Sequence, residues 1–331
     1  MWRHQLGRRE LIGIGAAAAI GLLAGGPAIA QQSLVIKASD VHAMDYPTVQ
    51  AIVEMGQKLE KATNGRLSIK MFPSMQLGGE KEALEQVQVG ALGMTRVSVG
   101  VVGPIVDDLN VFNMPYLFRS IAHMDKVLDG PIGDELLAKL TKGNLIGLGW
   151  MDAGARSFYD SKRPIRTPAD LRGLKVRVMG NPMFVEMANA MGGNGISMGF
   201  DELYSALQTG VVDGAENNSP SYLFDNHYQV AKYYSLTEHL MVPEIFVFSK
   251  KIWDPLSSDD QKLIRTLSRE TQLRERALWN AREHEAMEKL KAQGVQIITV
   301  DKTPLIEAVK PLHEKYGAKY AALIKQIEAV Q

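Results

Sequence analysis

From Asp259 to Gln293 the chain contains neither glycine nor proline and is densely charged. Ser257 or Ser258 can cap the start of a helix there, and Gly294 can end it. As one helix the segment would extend ~50 Å at ~1.5 Å per residue. That exceeds the width of one small domain. Its apolar stripe is also interrupted: Leu263 and Leu267, then Leu278 and Ala281, then Leu290. A helix of this kind crosses between two bodies and partly faces water. Two shorter helices with a bend near Arg274 fit the same pattern. The length of 331 residues agrees with about two domains of ~150 residues, each able to bury its own core.

The rest of the chain alternates. Leu34–Ala38, Leu67–Met71 and Gly93–Ser98 read as strands, with helices at Pro47–Asn64 and Glu80–Gly90 between them. Leu145–Trp150 is another strand. After Pro164 and Pro168 a second unit begins, with a strand at Lys175–Val178 and helices at Pro182–Met191 and Asp201–Thr209, and Ile245–Phe248 is a further apolar strand. Strand, helix and strand in repetition predict an α/β fold with parallel strands covered by helices.

The first thirty residues read as an address. Arg3, Arg8 and Arg9 precede an apolar run from Leu11 to Gly26, and Ala28-Ile29-Ala30 offers a small-residue cleavage site. A retained membrane anchor is the rival, since the run approaches the ~20 residues that span a bilayer. Gly7-Arg8-Arg9-Glu10-Leu11-Ile12 also resembles a twin-arginine signal, so the export route stays open. Without residues 1–30 the chain holds 34 basic and 36 acidic side chains, a formal charge of −2. That leaves no electrostatic footprint for nucleic acid. The absence of cysteine excludes disulfides, thiolate zinc sites and cysteine nucleophiles.

Catalytic patterns are sparse. None of the seven histidines is paired at metal-ligand spacing, and His284-Glu285 lacks the second histidine of a zinc-protease helix. There is no G-x-S-x-G elbow and no phosphate-binding G-x-x-x-x-G-K. Gly192-Gly193-Asn194-Gly195 follows a helix and reads as its stop and turn.

Other residues fit anion capture. Arg177 lies between Val176 and Val178 on an expected strand, where alternate side chains face opposite sides. With the valines in a core, Arg177 faces the other way, and a buried guanidinium needs a partner that a carboxylate fork fits. A surface arginine on an edge strand is the alternative. Arg156 follows the strand ending at Trp150, and Asn217 ends Asp213-Gly214-Ala215-Glu216-Asn217. Both lie at strand ends, where loops line ligand crevices. A surface position for Arg156 and turn formation for Asn217 are the alternatives.

Arg163-Pro164-Ile165-Arg166-Thr167-Pro168-Ala169-Asp170-Leu171-Arg172-Gly173-Leu174-Lys175-Val176-Arg177-Val178 and Glu202-Leu203-Tyr204-Ser205-Ala206-Leu207-Gln208-Thr209-Gly210-Val211-Val212-Asp213-Gly214-Ala215-Glu216-Asn217 resemble segments of the DctP-type substrate-binding subunits of tripartite ATP-independent periplasmic (TRAP) transporters. Phe72–Gly78 and Asn113–Phe118 resemble two earlier ones, so nearly the whole mature chain is covered. The resemblance implies a two-lobed periplasmic-binding-protein-like fold with a long interlobe helix, at about 259–293. Residues 31–152 and 243–282 are expected in lobe I, and residues 153–242 and 283–331 in lobe II. It implies that Arg177 binds a ligand carboxylate, with Arg156 and Asn217 as further contacts and Phe200 lining the cleft. The partners it implies are a small organic acid and the small and large membrane subunits of an importer. A monomer with no cofactor and no catalytic residues is expected, located in the periplasm.

The Ala153–Tyr159 and Glu216-Asn217-Asn218 variants resemble the sugar-acid branch, which implies a hexuronate such as glucuronate or galacturonate. His42, Tyr46, Glu80, Arg96, Asn181 and Asn217 are candidates for its hydroxyls. Each has a plainer reading: Glu80 as a helix-start charge, Asn181 as a cap before Pro182, Tyr46 as packing. A C4-dicarboxylate is the runner-up and would want two cationic clamps, Arg177 and Arg96. A secreted sugar-acid enzyme and a sensor module are the remaining classes.

Overall fold

The apolar segments assemble into two sheets in the computed structural model, which describes residues 33–331. The expected leader at 1–30 lies outside the described residues. The first sheet has the order β2-β1-β3-β10-β4. In it β1 (Leu34–Ser39), β2 (Leu67–Phe72) and β3 (Met94–Ser98) are parallel. Strand β10 (Glu244–Ser249) runs antiparallel between β3 and β4 (Leu145–Met151). β4 and β10 are buried along their whole length, as strands covered on both faces should be.

The second sheet has the order β11-β9-β5-β8-β6-β7. It comprises β5 (Arg156–Asp160), β6 (Lys175–Val178), β7 (Asn194–Ser197), β8 (Gly214–Asn217), β9 (Tyr233–Leu240) and β11 (Gln296–Thr299). β6 pairs in parallel with both β7 and β8. It is therefore an interior strand, which removes the surface-edge reading of Arg177.

Three crossings join the sheets. Residues 152–155 lead from β4 to β5, and residues 241–243 lead from β9 back to β10. The third is the long helix Ser258–Ala292, a single element of 35 residues with no break at Arg274. The Ser257 hydroxyl caps it by accepting from the Asp260 amide at 3.2 Å, and Gly294 ends it at φ +74°. Its interrupted stripe follows from its two destinations. Ile264 and Leu267 join the core around Ile36, Met55 and Phe246. Ala286 and Leu290 join the core around Tyr159, Ala215 and Tyr222. Between them Trp279 packs on Tyr46 and Val49. The fold is thus two-lobed α/β with an interlobe helix.

Asn217 ends a strand as expected, being the last residue of β8, whereas Arg156 opens β5 rather than lying in the loop after β4. The glycine stop holds at Gly192, with φ +100°. The residues that follow it, Asn194–Ser197, continue as edge strand β7.

Candidate ligand-binding cleft

A cleft with about 450 Å³ of empty space, open solvent included, lies between residues of the two sheets. His42, Tyr46, Glu80 and Arg96 reach it from elements of the first sheet's lobe, and Arg156, Arg177, Phe200 and Asn217 from the second. Eight of the nine residues singled out in the sequence therefore line one space.

Arg177 follows from the pleat of β6. Val176 and Val178 enter the main core, and Arg177 faces the cavity with only 2% of its surface exposed. Its Nε donates to the Met198 carbonyl at 2.9 Å. Its Nη1 is buried without a partner, and no carboxylate lies within ion-pair distance among the described residues. Phe200 places its ring centroid 5.8 Å from the guanidinium. Burial pulls the pKa of this group below its usual value, which is the sign of a desolvated, uncompensated cation.

Arg156 is held differently. Glu216 takes its Nε at 2.5 Å and its Nη2 at 2.9 Å, so the protein itself supplies the fork. Its Nη1 donates to Asn217 Oδ1 at 2.7 Å, and the Asn218 amide donates to the same oxygen at 2.9 Å. Two donors on one oxygen fix the orientation of the Asn217 amide. Its Nδ2 donates to nothing among the described residues, although Asn217 lines the cavity. Arg156 thus neutralises Glu216 and aims Asn217, while Arg177 keeps its charge unspent.

The opposite wall has the reverse sign. Arg96, also 2% exposed, meets Asp40 at 2.6 Å, Glu244 at 2.8 Å, and Glu80. Burial alone would raise the Asp40 carboxyl, but Arg96 holds it below the usual range. Burial raises Glu244, and the nearby Glu80 carboxylate adds to the rise. One guanidinium set against three carboxylates is not a free clamp, which removes the second cationic site that the dicarboxylate alternative would want. The acids instead present acceptors for hydroxyl groups.

His42 stacks on Tyr46 with centroids 3.8 Å apart, and the Tyr46 hydroxyl meets Ser221 Oγ at 2.9 Å. Tyr46 therefore spends its polar end on a tie between the lobes. Asn181 does not reach the cavity. Its Oδ1 accepts from the Met183 amide at 2.9 Å, capping the helix Pro182–Ala190. Its Nδ2 donates to Gly100 O at 3.0 Å and Asn110 Oδ1 at 2.9 Å. No donor remains for a ligand, which corrects the expectation for Asn181.

Sequence reasoning missed Asp152, Ser221 and Trp279, which also line the space. The strand-end logic that selected Arg156 applies equally to Asp152, one residue past β4. Among the described residues no cluster of three or more His, Asp or Glu side chains is placed to hold a metal ion, and no helix is long and apolar enough to cross a membrane.

Residues 38–319 match the family described as bacterial extracellular solute-binding protein, family 7. The chain belongs to this family. A TRAP periplasmic solute binding protein from Pseudomonas putida F1, solved with bound D-glucuronate, superposes with a TM-score of 0.88. The two share 55% identity over 90% of this chain and 98% of that one. A TRAP periplasmic solute binding protein from Bradyrhizobium, in complex with α/β-D-galacturonate, superposes with a TM-score of 0.87. It shares 42% identity over 89% of this chain and 99% of that one. The C4-dicarboxylate-binding periplasmic protein DctP of Rhodobacter capsulatus is 31% identical, over 98% of this chain and 99% of its own. This chain is thus a family 7 solute-binding protein of the TRAP type, and its partners are the membrane subunits of such an importer.

Proposed function

We propose that the protein captures a hexuronate, D-glucuronate or D-galacturonate, in the periplasm after removal of residues 1–30, and that it binds without turnover. The observation that carries this reading is Arg177, a buried cation with no acid of its own, facing a wall with surplus carboxylates. A ligand with one carboxylate and several hydroxyls complements both sides. Its carboxylate occupies the Arg177 fork and takes the free Asn217 N–H, while its hydroxyls donate to the acids around Arg96. The hexuronates bound by the relatives from Pseudomonas putida and Bradyrhizobium support the choice. A C4-dicarboxylate fits worse, because Arg96 is already satisfied three times over.

Lobe I (31–152 and 243–282) and lobe II (153–242 and 283–331) close on the ligand, which stabilises the closed form through its higher affinity for it. Micromolar affinity requires about −8 kcal/mol. Two charge-assisted hydrogen bonds contribute roughly 3–6 kcal/mol. Hydroxyl contacts and ring burial supply the remainder and set specificity.

The test is a calorimetric titration of residues 31–331 with D-glucuronate, D-galacturonate, L-malate and succinate. Micromolar binding of a hexuronate is expected, with at least ~100-fold weaker binding of the dicarboxylates, since each would leave a carboxylate facing acids. Tighter binding of succinate or malate would reverse the assignment. Recovery of unaltered ligand, read by NMR after prolonged incubation, distinguishes binding from turnover.

A further inference from the structure

Two buried polar atoms on residues that line the cleft belong neither to the carboxylate site nor to the acids around Arg96. Asp152, 2% exposed, opens the connection from β4 to β5. Its amide donates to Glu275 Oε2 at 2.8 Å and its Oδ1 meets Arg276 Nε at 3.4 Å, while its Oδ2 has no partner among the described residues. Trp279, 1% exposed, lies midway along the interlobe helix, and its indole N–H has no acceptor among the described residues. Both residues line the cavity.

The two are parts of one wall. Gly154 has φ +59°, and a Cβ there would stand 3.3 Å from Trp279 Nε1 and 2.6 Å from Glu283 Oε1. Only glycine lets the connection lie this close to the indole edge. Asp152, two residues earlier, therefore sits on the same crossing that abuts Trp279.

Neither orphan helps the empty protein. A buried donor or acceptor left unmade carries a desolvation penalty. Burial, reinforced by the Asp125 carboxylate, pushes the Asp152 carboxyl up to about 6. Asp152 pairs with Arg276 through Oδ1 alone, and nothing among the described residues uses its Oδ2 or the Trp279 indole N–H. Side chains that break a local rule without structural return mark function.

We propose that Asp152, as acceptor, and Trp279, as donor, read hydroxyl groups of the bound sugar acid at the wall formed by the first interlobe crossing and the long helix. This rests on the sugar-acid reading of the same cleft. A hydroxyl both donates and accepts, so it satisfies such a pair, whereas a methylene leaves both atoms unpaired. Selection for a hydroxylated acid over a bare one is then made on the two segments that join the lobes, and a ligand held by both braces the crossing against the helix.

The experiment is calorimetric titration of wild type, Asp152→Asn and Trp279→Phe with D-glucuronate and each of its monodeoxy derivatives. Each substitution is expected to weaken D-glucuronate about tenfold, the loss of one good hydrogen bond. The derivative lacking the hydroxyl in question should bind wild type and variant alike. Unchanged D-glucuronate affinity in both variants, or an equal loss for every derivative, overturns the proposal, the second result being that of a merely structural role. Thermal melts of the unliganded variants confirm folding. Failure of the hexuronate reading is distinct, because wild type would then bind neither D-glucuronate nor D-galacturonate.

Discussion

Replacing Arg177 by methionine should move stability and affinity in opposite directions. The substitution keeps an unbranched side chain of similar reach and deletes the charge. In the unliganded protein Arg177 has one hydrogen bond, to Met198 O at 2.9 Å, and no counterion among the described residues. The effective penalty for an ion buried in this way is several kcal/mol. Removing it costs the Met198 bond, about 1–3 kcal/mol once the carbonyl is left unpaired. The balance favours the variant by roughly 1–2 kcal/mol, and at about 2–4 °C per kcal/mol its melting temperature should rise by a few degrees. Affinity should fall. Loss of two charge-assisted hydrogen bonds, at about 1.5–3 kcal/mol each, lowers it by a factor of roughly 10²–10⁴. Differential scanning fluorimetry with and without D-glucuronate reads both changes on one sample. A variant that melts well below wild type without ligand would mean that Arg177 is a structural cation. One that binds D-glucuronate within about tenfold of wild type would remove the carboxylate clamp.

Further outcomes follow from the same geometry. Burial and the neighbouring Asp125 raise Asp152 from its usual 3.8 to about 6. A carboxyl raised in the folded state contributes stability below its unfolded pKa and loses it as pH rises through the folded value. Asp152→Asn should therefore match wild type near pH 4 and exceed it above pH 7 by up to roughly 3 kcal/mol, at about 1.4 kcal/mol per pH unit. Parallel urea denaturation curves for the two proteins across this range would count against the shift. Glu216→Gln strips the counterion from the buried Arg156 and should cost about 3–5 kcal/mol in denaturant unfolding. Asn181→Ala removes two hydrogen bonds between the lobes without touching the cavity. It should weaken D-glucuronate roughly tenfold by depopulating the closed form, with the change appearing in the dissociation rate. An unaltered rate in stopped-flow displacement would show that Asn181 only caps its helix.

The features legible in the sequence are those carried by local pattern. The interlobe helix is readable because nothing between Ser258 and Ala292 can break it and because its caps stand at both ends. Its stripe broke where the helix passes from one core to the other, and that gap was itself informative. Arg177 is half readable: the flanking valines set which way it faces, but nothing local distinguishes an interior strand from an edge one, and its role as anchor comes from the family resemblance. The short strands were harder. Gly214–Asn217 holds no β-branched residue and exists because β5 and β6 flank it on both sides. Its environment makes it a strand, its propensity does not. Asn181 satisfied strand-end logic, yet the same position is a helix N-cap, and capping took the amide. Asp152 and Trp279 were invisible because their role depends on two remote segments meeting at Gly154, which no spacing encodes.

The electrostatics of the cleft also explain why three arginines face one space without acting alike. An arginine in a binding cavity attracts an anion only if its charge is unspent. Arg156 is spent on Glu216 and works through the asparagine that it aims. Arg96 is spent three times over. Its role is to hold Asp40, Glu80 and Glu244 together as one acceptor surface that would otherwise repel itself. Only Arg177 remains, so the field across the cavity runs from one positive point to a broad negative wall. A monoanion bearing hydroxyls has a single favourable orientation in that field, and a second carboxylate at its far end would meet the acids at close range with no cation left to receive it. The proposed selectivity for a sugar acid over a dicarboxylate therefore rests less on the number of arginines present than on which of them the protein has already neutralised.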